Sequence, residues 1–121
     1  MEPVHNMQDL EQTLIDAGDD VVAVRCGAEW CIPCHRTMDE YKTTLERFHS
    51  VKAMSADYDK SQELFEHYEV TTLPTILLFR NCELVDILQR PNASTVEGAL
   101  LSASPLQHYR NPPPLVLDAE F

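Results

Sequence analysis

The stretch Val21-Val22-Ala23-Val24-Arg25-Cys26-Gly27-Ala28-Glu29-Trp30-Cys31-Ile32-Pro33-Cys34 decides the architecture. Val21 to Val24 is a short valine-rich run behind the acidic turn Asp19-Asp20, which reads as a strand buried on both faces. From about Pro33 to His49 the apolar residues Met38, Tyr41, Leu45 and Phe48 recur at three- or four-residue steps, as one face of a helix requires. Cys31 and Cys34 therefore sit at a strand-to-helix junction, where unpaired backbone donors and the helix macrodipole favour a thiolate. Two thiols at this spacing on a first helical turn can bridge each other, so a mixed disulfide at the outer sulfur is open to expulsion by the inner one. Cys31 is the expected nucleophile and Cys34 the resolving thiol.

Outward from this junction the pattern keeps alternating. Asp9 to Gly18 carries Leu10, Leu14 and Ile15 among polar residues, a helical stripe ended by the glycine. Val51 to Tyr58 reads as a strand, and Gln62 to Tyr68, with Leu64, Phe65 and Tyr68 on one side, as a helix. Thr75 to Phe79 and Leu84 to Leu88 are apolar runs around the turn Arg80-Asn81-Cys82-Glu83, the signature of an antiparallel hairpin. Ser94 to Ala103 forms the last helix, with Ser94 as expected N-cap and Glu97 completing a capping box. A short extra strand is expected near Pro3 to His5. This order gives an α/β fold, a central mixed sheet flanked by helices on both faces. The domain is expected to cover residues 1–104. Pro105 and Pro112-Pro113-Pro114 mark residues 105–121 as a Pro-rich tail, because proline lacks a backbone donor and fixes φ.

The 121 residues, 44% of them hydrophobic, suffice for one domain with a real core. Nine basic against 20 acidic side chains leave a formal charge of −11, which repels phosphate backbones and anionic lipid alike and disfavours nucleic-acid and membrane-surface binding. No apolar run approaches the roughly 20 residues that span a bilayer. The N-terminus Met1-Glu2-Pro3-Val4-His5-Asn6 lacks the features of a secretory signal, so a full-length chain is expected in the cytoplasm. Four cysteines are too few for a disulfide-stapled miniature fold, and a reducing compartment leaves them chemical roles.

Ala28-Glu29-Trp30-Cys31-Ile32-Pro33-Cys34, followed some forty residues later by Thr72-Leu73-Pro74-Thr75 before an apolar strand, resembles the thioredoxin family over roughly residues 5 to 104. Asp57 and Asp59, ending a strand before a helix, match it too. The resemblance implies a thioredoxin fold, a protein-disulfide reductase, and catalysis by Cys31 and Cys34. It implies a cis peptide at Leu73-Pro74 packed beside Cys31, with the Leu73 backbone pairing an extended substrate chain. Trp30, Ile32, Pro33, Leu73 and Pro74 would form the contact surface for disulfide-containing proteins. The chain would work as a monomer, bind no cofactor or metal, and be recycled by an NADPH-dependent flavoprotein reductase or another dithiol donor.

The chain also departs from the family. The position of its usual buried Asp, six before the nucleophilic cysteine, holds Arg25, so the acid/base role of that Asp does not carry over. Its usual partner lysine aligns with Ser55, and its helix-kinking proline with Asp39. A glycine that leaves room for substrate beside the cis-proline loop is replaced by Arg90, followed by Pro91. Arg25 is expected either to pair with an acid or to reach water along its apolar stem, and, if near Cys34, to favour its thiolate. Arg90 is expected to bias the groove toward acidic substrates or to restrict entry.

Blander readings stand beside these. The cysteine pair could be a structural disulfide or half of a zinc site, though no second close Cys or His pair accompanies it. Cys26 reads as a small apolar filler and Cys82 as an exposed turn residue. Asn92-Ala93-Ser94 matches a glycosylation acceptor but is not expected to be used without a secretory signal. The main alternative function is a non-catalytic interaction module or redox sensor, its altered arginines leaving the pair vestigial.

Overall fold

The computed structural model describes residues 1–103; residue 104 and the tail from 105 to 121 lie outside the described residues. The elements follow the order β1 (Glu2–Pro3), α1 (Met7–Ala17), β2 (Val21–Gly27), α2 (Ile32–Glu46), β3 (Val51–Asp57), α3 (Gln62–His67), β4 (Thr75–Arg80), β5 (Glu83–Gln89) and α4 (Ala93–Ala103). The five strands form one sheet in the order β1-β3-β2-β4-β5. β1, β3 and β2 run parallel, while β4 and β5 are antiparallel additions.

The sheet is covered on both sides because β2 alternates two apolar sets. Val22, Val24 and Cys26 face a core shared with Leu10 and Leu14 of α1 and Leu64 and Phe65 of α3. Val21 and Ala23 face the opposite core, with Tyr41 and Leu45 of α2 and Val96 and Leu100 of α4. Successive side chains of a strand point to opposite faces, so Arg25 follows Val21 and Ala23 toward α2, and Cys26 takes the α1/α3 side. The central strand is thus buried along its full length, as its Val-rich run requires.

Local chemistry sets the boundaries. Asn6 caps α1, its Oδ1 accepting from the Asp9 N–H at 2.7 Å, so the helix opens two residues before the first expected position. Gly18 ends it with φ +60, a backbone setting that suits a residue without Cβ. At the last helix the expected Ser94 cap is replaced by Asn92. Its Oδ1 accepts from the Thr95 N–H at 2.8 Å and from the Thr95 hydroxyl at 2.9 Å. Asn is at least as good a cap as Ser, and the chain reaches it first after Pro91. The hairpin turns on Asn81 and Cys82, both at positive φ (53° and 66°), the two-residue form that matches strand twist. Cys82 is exposed there, while Cys26 is buried.

Candidate active site

Cys31 is the residue at which β2's continuation enters α2. It occupies the N-cap, and its Sγ accepts the Cys34 N–H at 3.3 Å, one of the helix's otherwise unpaired donors. Pro33 suits the first turn because its missing N–H would have found no partner there. Cys31 and Cys34 are joined as a disulfide with their Cα atoms 5.3 Å apart. The helix that follows therefore delivers to the outer sulfur both a backbone donor and the positive end of its dipole.

The two sulfurs face different surroundings. Cys31 lines an open groove of about 900 Å³ together with Trp30, Ile32, Pro33, Leu73 and Arg90. Cys34 lines a smaller cavity of about 180 Å³ behind it, next to Arg25, Gly27, Ser55 and Asp57. Both cysteines are nearly covered, whereas Trp30 and Ile32 beside them are 62% and 67% exposed. Trp30 is held rather than loose. Its Nε1 donates to Asp59 at 3.0 Å, and its ring meets Tyr58 edge-on at 6.1 Å, which in turn meets Phe65 at 5.4 Å.

Across the groove the Leu73-Pro74 peptide is cis and Pro74 is buried, so of the expected contact residues only Pro74 does not itself line the groove. Arg90 closes this side. Its backbone N–H donates to the Pro74 carbonyl and its Nε to the Leu73 carbonyl, each at 2.8 Å. It does so at φ 44, a left-handed setting that costs a residue with Cβ about 1–2 kcal/mol and suits glycine better. The positive φ explains why glycine fits this position, and the two hydrogen bonds hold Arg90 there.

Arg25 corrects the expectation of an acidic partner or a path to water. It is 5% exposed and makes no ion pair among the described residues. Instead its Nη2 donates to the Cys34 carbonyl, and its guanidinium carbon lies 5.0 Å from the centre of the Tyr41 ring. Its Nε is buried without a hydrogen-bond partner. Burial pushes the Arg25 pKa down, partly opposed by Tyr41 and Cys26. Burial likewise pushes the Cys26 thiol up to about 12, against the pull of the Arg25 charge. Cys26 is thus a neutral core residue, on the opposite face of β2 from Arg25.

Tyr41 and Tyr58 were not singled out as site residues by the sequence pattern. Tyr41 stands seven positions after Cys34, two turns along the same helix, so its spacing was the available signal. Tyr58 directly follows the strand end at Asp57 and carried none beyond that proximity. Asp59 matches the family pattern in the sequence, but its bond to Trp30 depends on the tertiary fold.

A five-stranded mixed sheet with helices on both faces and a bridged cysteine pair at a helix N-terminus defines a thioredoxin-fold thiol–disulfide oxidoreductase. The thioredoxin family model matches residues 3–100. Thioredoxin domain-containing protein 8 of Mus musculus is 32% identical over 87 residues, covering 72% of this chain and 68% of that protein. Thioredoxin of Gallus gallus is 28% identical over 99 residues, covering 82% and 94%. In three dimensions, Fasciola hepatica thioredoxin superposes with a TM-score of 0.82 at 21% identity, covering 86% of this chain and all of that one (100%). The chain belongs to the thioredoxin family.

Proposed function

We propose that this protein is a protein-disulfide reductase. The Cys31 thiolate attacks one sulfur of a substrate disulfide, forming a mixed disulfide and releasing the other substrate sulfur as a thiolate. The Cys34 thiolate then attacks Cys31 Sγ, expels the second substrate thiolate and leaves the Cys31–Cys34 disulfide, so two electrons pass to the substrate. The observation that carries this reading is the division of the pair: the groove is lined by Cys31 alone, while Cys34 lies behind it within bridging reach. Trp30, Ile32, Pro33, Leu73 and Pro74 position the substrate chain in this reading.

An NADPH-dependent flavoprotein reductase or another dithiol donor restores the dithiol, with no cofactor bound to the chain. The setting that suits such a cycle is the reducing cytoplasm, with the protein acting as a monomer. The test is turnover of a disulfide-bonded protein with dithiothreitol as donor, beside the Cys34→Ser variant. The expected result is catalytic turnover by the wild type and a mixed disulfide on Cys31 in the variant. Binding without turnover supports the interaction-module alternative, and the absence of both turnover and a trapped substrate overturns the reductase.

A further inference from the structure

Among the described residues Arg90 is the only one with a formal charge that lines the Cys31 groove, in a chain whose overall charge is −11. It is anchored by two hydrogen bonds, one from its backbone and one from its side chain. The backbone N–H holds the Pro74 carbonyl, Nε holds the Leu73 carbonyl, and the backbone stands at φ 44 between them. Anchoring at Nε leaves the two terminal nitrogens, and among the described residues Nη1 and Nη2 carry no hydrogen bond or ion pair. A guanidinium fixed in this way presents a planar pair of donors that matches a carboxylate in both charge and geometry.

The same bond removes something from the groove. The Leu73 carbonyl accepts from Arg90, so an extended peptide in the groove meets that oxygen with one of its two lone pairs already taken. A substrate that brings its own carboxylate is compensated by the free face of the guanidinium, and a neutral one is not. Elsewhere on the wall Trp30, Ile32, Pro33, Val70 and Leu73 offer apolar surface and Tyr58, Thr71 and Thr72 offer neutral hydroxyls, none of which supplies a charge that tells Asp from Asn.

We infer that Arg90 is a specificity-determining residue that selects disulfide substrates carrying an Asp or Glu side chain, or a terminal carboxylate, close to the reacting cysteine. This rests on the reductase reading and names its substrate class. The Arg90 fork binds the carboxylate as the substrate disulfide is brought to Cys31, so discrimination appears in kcat/KM. Arg90 is exposed, so solvent screens the pair and the carboxylate is worth roughly a two- to fivefold preference.

The experiment compares disulfide peptides that differ only in Asp or Asn, placed in turn at each of the three positions flanking the cysteine. Reduction is followed with dithiothreitol in excess for the wild type, Arg90→Gln and Arg90→Gly. Glycine accepts the positive φ, which guards against loss of fold. The expected wild-type Asp/Asn ratio in kcat/KM is roughly two- to fivefold at one position, narrowing in high salt and falling to about one in both variants. Turnover with no Asp preference at any position, or a preference that survives in both variants, overturns the inference and leaves the reductase standing. No turnover of any peptide removes the reductase reading and this inference with it.

Discussion

The buried guanidinium of Arg25 donates through Nη2 to the backbone carbonyl of Cys34, the residue whose sulfur closes the redox disulfide. A Cβ on Gly27 would stand 3.2 Å from Cys34 Sγ and 3.4 Å from Arg25 Nη1, so the charge and the sulfur are within about 7 Å of each other. The carbonyl bond and the Tyr41 ring hold the guanidinium there. Tyr41 in turn donates from its hydroxyl to the Pro91 carbonyl at 3.1 Å, beside Arg90. One aromatic residue of α2 thus touches Arg25 and the residue that follows Arg90.

A positive charge at that range stabilises a Cys34 thiolate, and therefore the reduced protein, by on the order of 2 kcal/mol at an effective dielectric near 20. Arg25→Gln is expected to shift the midpoint potential to more reducing values by roughly 20–40 mV. Arg25→Lys, which keeps the charge, is expected to retain part of it. Redox titration against a glutathione or dithiothreitol buffer reads the shift. An unchanged potential in a folded Arg25→Gln protein means the charge does not reach the sulfur.

Gly27 carries the second prediction. Alanine there places a methyl group against Cys34 Sγ at 3.2 Å, closer than ordinary packing, and 3.4 Å from Arg25 Nη1. Neither neighbour is free to swing away, one being bridged to Cys31 and the other bonded to the Cys34 carbonyl. Gly27→Ala is expected to lose about 1–3 kcal/mol of stability in denaturant unfolding, the cost of overpacking a tight core. A loss below about 0.5 kcal/mol would show that α2 yields easily at its first turn.

The third concerns alkaline pH. Burial raises the Cys26 thiol from 9.0 to about 12, so its ionised form is favoured in the unfolded chain. Its contribution to stability is therefore intact below about pH 9 and is lost progressively as pH rises toward 12. Tyr41, also raised by burial, adds to the same loss. Cys26→Ala is expected to flatten the fall in unfolding free energy between pH 9 and 11 relative to wild type. Parallel curves for the two proteins would remove Cys26 as a contributor.

Much of this molecule was legible in its residue pattern. The stripe from Met38 to Phe48 carries a helical period, while the valine run before Cys31 and the paired apolar runs around Asn81 and Cys82 read as strands from their shortness and bounding turn residues. The cysteine spacing likewise fixed the site, because a helix N-terminus and two thiols three residues apart are local facts. The Ser94 cap failed because two capping residues compete within three positions, and Asn92 meets the exit from β5 first.

What the chain determined by itself was therefore the α/β order, the position of the redox pair and the oddity of arginine at 25 and 90. What only the tertiary structure decided was how each arginine is satisfied. Tyr41 reaches Arg25 from α2, and the Leu73 carbonyl reaches Arg90 from seventeen residues away. Partners for a charge are chosen by which elements pack against its strand or loop, and no periodicity along the backbone encodes that choice.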